Sequence, residues 1–183
     1  MRLPKKKMRK TVKEIALKKT YKKLGFTGLE AVEVVNPLNV LLANYHIHYQ
    51  KMRNFHWNVR GEDFFDLHEK FEDQYNFAKG AIDDIAERIR VFGQTPLSTM
   101  REYLDASEIK ESGTDLTAAE MMKEILKDYE ILLEYMFATI EVAVESGDSG
   151  TEDMIKGFVK QTEKSHWMLT AFSQDRTASP ASS

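Results

Sequence analysis

The sequence predicts an all-α chain built as a bundle of four long helices, and three observations carry that expectation. Four segments, each on the order of 20–30 residues, repeat apolar side chains at the three-and-four spacing of a buried helix face. Each is bounded by helix start or stop residues: Pro, Gly, or Ser/Thr with Glu three positions on. No run alternates apolar and polar residues convincingly enough for a strand, and no internal repeat stands out.

The first helix is expected over residues 37–59. Pro37 suits a first turn because an N–H there would lack a helical partner in any case. Leu38, Leu41, Leu42, Tyr45, Tyr49, Met52 and Val59 form the apolar stripe, His56 lies at its centre, and Gly61 ends the helix. His46 and His48 flank that stripe by about 80° on either side and read as boundary residues. The second helix is expected over residues 63–92, stopped by Gly93 and Pro96. Residues 94–116 connect it to the third and include a short helical candidate over residues 98–104. Thr117 and Glu120 form a capping box that opens the third helix, which runs to residue 146. Ser149 and Glu152 suggest a second box opening the fourth, which runs to residue 174. Two short turns and one long connection suit the ferritin-like wiring, with a crossover between the second and third helices. Such a long connection fits a compact domain when it carries an element of its own, here the short helix. The expected organisation is a basic arm over residues 1–30, the bundle over 31–175 and a disordered tail over 176–183.

Composition narrows the chemistry. The chain has 183 residues, enough for one well-cored domain, and no Cys, which excludes disulfides, thiol catalysis and Cys-based zinc sites. Any metal must be held by His and carboxylates, which suit iron, manganese or zinc. No apolar run approaches the ~20 residues of a membrane span, and the N-terminus lacks the apolar segment of a secretion signal, so a cytoplasmic location is expected. The net charge of −3 conceals an asymmetry. Residues 1–23 hold eleven Lys/Arg and one acid, a net +10; the remaining residues carry a net −13. Lys5, Lys6, Lys7, Arg9, Lys10, Lys13, Lys18, Lys19, Lys22 and Lys23 could neutralise phosphates, so this arm is a candidate for salt-sensitive, sequence-blind DNA binding. The alternatives are a solubilising tail, or a helix packed on the body through Val12, Ile15, Ala16, Leu17, Tyr21 and Leu24.

His56, His68, Glu72, Asp83 and Glu87 are metal-ligand residue types in a suggestive arrangement. On the second helix, His68, Glu72, Asp83 and Glu87 fall within an arc of about 100°. His68 and Asp83 nevertheless lie about 22 Å apart along the axis, too far to share one ion. A second copy of the helix, antiparallel across a two-fold axis, would bring the His end of one subunit to the Asp/Glu end of the other. Asp83 and Glu87 could instead form a solvated acidic pair, although like charges one turn apart repel and a cation would relieve that repulsion. A string used by many di-iron bundles, Glu-x-x-His, occurs once, at Glu163 and His166, with no second copy, so His166 reads as structural or surface.

The segment His56-Trp57-Asn58-Val59-Arg60-Gly61, then Leu67-His68-Glu69, then Asp83-Asp84-Ile85-Ala86-Glu87-Arg88 resembles the signature of the Dps family, the DNA-binding proteins from starved cells or mini-ferritins. The resemblance covers residues 35–175 and includes Glu163-Lys164 and Trp167-Met168-Leu169. It implies a hollow dodecamer of tetrahedral symmetry with an iron-oxidising site at each two-fold interface. His56 and His68 would come from one subunit, and Asp83 and Glu87 from its partner. Glu72 stands where the family commonly places Asp, a departure in side-chain length. Trp57 matches a Trp beside the site that donates an electron or traps a radical; a large core aromatic is the plainer reading. Iron would pass between Fe2+ and Fe3+, with hydrogen peroxide preferred over oxygen, and ferric mineral would collect in the cavity. Acidic pores for iron entry would fall early in the fourth helix, at Asp148, Glu152 and Asp153. The alternative function is nucleoid condensation through the basic arm, with DNA as the main partner.

Overall fold

The computed structural model describes residues 28–174. The basic arm, from Lys5 to Lys23, and the tail over residues 176–183 lie outside them. Among the described residues there are five helices and no strand: α1 Gly28–Asn58, α2 Phe64–Val91, α3 Met100–Ala106, α4 Ala118–Glu145 and α5 Ser149–Gln174. Each expected helix is present, and none is long and apolar enough to cross a membrane.

Two helix starts differ from expectation. Helix α1 begins well before Pro37, which sits inside it. Proline removes the hydrogen bond to the carbonyl of Glu33, a loss that usually breaks a helix. Here Glu33 is exposed, so water can reach that region, while Val32, Val34, Val35 and Leu38 are buried on both sides of the proline and hold the axis together. Burial thus overrides the local stop signal. Helix α5 is capped by Asp148 rather than Ser149: Asp148 Oδ1 accepts from the Thr151 N–H at 3.1 Å. The Thr117–Glu120 box is present as expected, with both reciprocal bonds. At the ends of α2 and α4, Gly93 (φ 69°) and Gly147 (φ 67°) take the left-handed conformation that lets the chain double back onto the last carbonyls.

The packing follows the ferritin-like order. Phe55 meets Phe71, and Tyr49 meets Tyr75, so α1 and α2 run antiparallel. His48 reaches Asp128 while Lys51 reaches Glu124, so α1 and α4 also run antiparallel. The crossover must therefore return along the length of α1, and three asparagines hold it there. Asn39 Oδ1 accepts from the Leu97 N–H. Fully buried Asn44 accepts from Ser107 Oγ and from the Glu108 and Ile109 N–H groups, at 3.0–3.1 Å. Asn54 Nδ2 donates to the carbonyls of Ser112 and Gly113. These bonds satisfy backbone groups that a connection lying on a helix would otherwise leave unpaired. His46 stacks on Tyr103 of α3 with ring centroids 3.7 Å apart, and burial lowers its pKa to about 4.

His48 is not a boundary residue. It is buried, and its Nδ1 donates to Asp128 Oδ2 at 3.0 Å, while buried Lys51 donates to Asp128 Oδ1 at 2.7 Å. A polar triad therefore crosses the α1–α4 interface inside the core.

Candidate metal centre

The centre is built where α1 ends and α2 begins. A short turn through Gly61 (φ 108°) reverses the chain, bringing His56 in the last turn of α1 beside His68 on α2. Their rings stack with centroids 3.7 Å apart. The hydrogen bonds are reciprocal: His56 Nδ1 donates to the carbonyl of His68, and His68 Nδ1 to the carbonyl of His56, both at 2.8 Å. A carbonyl only accepts, so each Nδ1 must carry a proton. In the neutral rings this leaves both Nε2 lone pairs available to a metal. Such outer bonds fix ring orientation and tautomer and make the imidazole a better donor.

Glu72 completes the group. It lies one turn beyond His68 on the same face of α2, and one ligand atom from each of His56, His68 and Glu72 lies within 4.8 Å of the others. The longer side chain thus reaches the site. Tyr75 donates from its hydroxyl to Glu72 Oε1 at 3.0 Å and meets the His56 ring edge-on at 5.3 Å. Partial burial, then its contacts with Glu72, raise the Tyr75 pKa above the usual phenol value. Phe64 also stacks on His68, with centroids 5.0 Å apart. The site therefore pairs a buried nitrogen end, at His56, with an exposed carboxylate at Glu72. Two neutral nitrogen donors and one hard oxygen donor suit a divalent first-row metal.

Asp83 and Glu87 lie further along α2, and both are exposed. Among the described residues, the metal-competent group of this chain comprises His56, His68 and Glu72, without Asp83 or Glu87. Trp57 is 57% exposed and lies under the Arg53 guanidinium at 4.7 Å, so it is not a core aromatic of the single chain. Of the pore candidates, Asp148 is buried, caps α5 and pairs with Arg88, while its Oδ2 has no hydrogen-bond partner. Glu152 pairs with Lys156, and Asp153 is exposed. His166 is half-buried and joins no metal-competent group among the described residues.

Sequence reasoning missed two features. Tyr75 had a signal available, since it stands three residues after Glu72 and so within reach on one helix face. The His48–Asp128–Lys51 triad also had one: Asp128 falls on the apolar stripe of α4 with Ile125, Tyr129 and Leu132, where an acid requires a buried partner.

The ferritin-like domain family matches residues 35–177. Among curated proteins, the chain is 43% identical over 140 residues to "DNA protection during starvation protein 2" of Bacillus anthracis, covering 76% of this chain and 96% of that protein. It is 37% identical to "General stress protein 20U" of Bacillus subtilis, covering 76% and 97%. Among solved structures, the Dps protein from Vibrio cholerae O1, described as one of the ferritin-like diiron-carboxylate proteins, superposes with a TM-score of 0.78 at 35% identity. That match covers 80% of this chain and 92% of the other. A Dps protein from Bacillus brevis gives a TM-score of 0.76 at 40% identity, covering 78% and 96%.

Proposed function

This chain belongs to the ferritin-like family, in its Dps branch, and from that premise we propose that it oxidises Fe(II) with hydrogen peroxide and stores the ferric product inside a hollow dodecamer. The observation that carries this reading is the locked pair of imidazoles converging with Glu72, while Asp83 and Glu87 stand exposed further along α2. A two-fold partner supplying Asp83 and Glu87 to the opposite His pair would complete two equivalent sites per dimer.

The ligand chemistry suits electron loss. Carboxylates are hard donors that favour Fe(III) over Fe(II), and neutral imidazoles hold the ion without cancelling its charge. Two Fe(II) ions give one electron each to a peroxide; its O–O bond breaks, and two protons complete two waters. Delivering the electrons as a pair avoids the hydroxyl radical of one-electron cleavage. Ferric ion would hydrolyse to an oxyhydroxide in the acidic interior. DNA would be protected by removal of Fe(II) and peroxide together.

Anaerobic Fe(II) addition to the metal-free protein, followed by a peroxide pulse, tests this. The expected result is a fast rise in ferric absorbance with little hydroxyl radical, lost in an assembled Asp83→Ala/Glu87→Ala variant. Equal slow rates in both proteins would refute the enzymatic reading.

The second reading, DNA binding in the nucleoid, is favoured by the net +10 of residues 1–23. Removing those residues is expected to abolish DNA retardation at low salt and leave iron oxidation intact. Equally tight DNA binding by the truncated protein would contradict it.

A further inference from the structure

We propose that Tyr75 is a positioning residue for the metal ligand Glu72, holding its carboxylate through the phenol while the Tyr75 ring packs edge-on against His56. The proposal rests on His56, His68 and Glu72 taking a metal ion.

Glu72 is exposed and has more rotatable bonds than any other ligand of the group. Left alone, such a side chain samples many rotamers, and metal binding must immobilise it. Tyr75 has few torsions, and its ring is held on two sides: the Tyr49 ring meets it edge-on at 6.2 Å and the His56 ring at 5.3 Å. Its hydroxyl is therefore a fixed donor, 3.0 Å from Glu72 Oε1. A carboxylate oxygen has two lone pairs, so accepting this bond leaves capacity for a cation. Glu72 is in this way held beside two rings that are themselves locked by carbonyls, and Tyr75 touches candidate ligands from both α1 and α2. The effect is preorganisation: a ligand held beforehand loses less freedom on binding.

The probe is Co(II), whose visible absorption reports the number and type of its ligands. Metal-free, assembled, full-length protein is titrated as wild type, Tyr75→Phe, Glu72→Gln and the double variant. Phenylalanine keeps the ring contacts with Tyr49 and His56 and removes only the hydroxyl. Tyr75→Phe is expected to weaken Co(II) binding by about 10-fold or more. Its spectrum should move toward that of Glu72→Gln, and the double variant should bind like Glu72→Gln alone. Unchanged affinity and spectrum in Tyr75→Phe would overturn the proposal, as would an equal loss in the Glu72→Gln background. If wild type itself takes up no Co(II), the metal-centre reading fails and the proposal with it.

Discussion

Asp128→Ala is expected to lower the unfolding free energy by about 3–5 kcal/mol, because it strands a buried cation. Asp128 is 2% exposed, and its two oxygens are divided between His48 Nδ1 and Lys51 Nζ. Lys51 is 4% exposed; its other anionic contact, Glu124, stands at 3.5 Å and is partly open to solvent. Removing Asp128 leaves the ammonium with that longer contact alone and opens a space between α1 and α4. The triad itself contributes much less than this loss, since bringing its charges out of water offsets most of their attraction. A combined Asp128→Leu/Lys51→Met variant is therefore expected to be more stable than Asp128→Ala. Denaturant unfolding of the three proteins, with assembly state controlled, checks the order. A double variant no more stable than Asp128→Ala would contradict the stranded cation as the source of the loss.

His56→Ala together with His68→Ala is expected to slow Fe(II) oxidation by on the order of 100-fold or more, by removing two of the three side chains that converge at the proposed iron site. Each ring also accounts for one of the two reciprocal bonds to the facing carbonyl, so both substitutions together clear the site instead of leaving one mispointed imidazole. The rest of the bundle should hold, because the core formed by Leu41, Tyr45, Phe55, Phe71 and Ile85 is untouched. Peroxide-driven ferric absorbance, measured on protein shown to be assembled, gives the rate. A rate close to wild type would move the oxidation site away from the imidazole pair.

Much of this was legible in the sequence because helical periodicity and glycine stops are local signals. Gly93 and Gly147 end α2 and α4 as expected, and Thr117 caps α4. Pro37 is a helix-start signal on local grounds alone, and the buried valines on its N-terminal side carry the helix back past it. Ser149 misled because Asp148, one residue earlier, gains a second partner in Arg88, an ion pair that no local pattern reveals. The ligand types and their shared helix face were visible in the sequence. The reciprocal imidazole–carbonyl bonds were not, since they depend on the stagger of two antiparallel helices. The His48–Asp128–Lys51 triad was hidden for the same reason, Asp128 lying 80 and 77 residues from His48 and Lys51 in the chain.

Co-assembly of two defective subunits decides whether one iron site draws on two chains. His56→Ala/His68→Ala subunits and Asp83→Ala/Glu87→Ala subunits are each expected to be inactive. Unfolded together and reassembled in equal amounts, they should pair at random. Each mixed dimer then carries one site with every ligand intact, so activity should return to about a quarter of wild type. No recovery from a shell shown to contain both subunits would contradict a shared site.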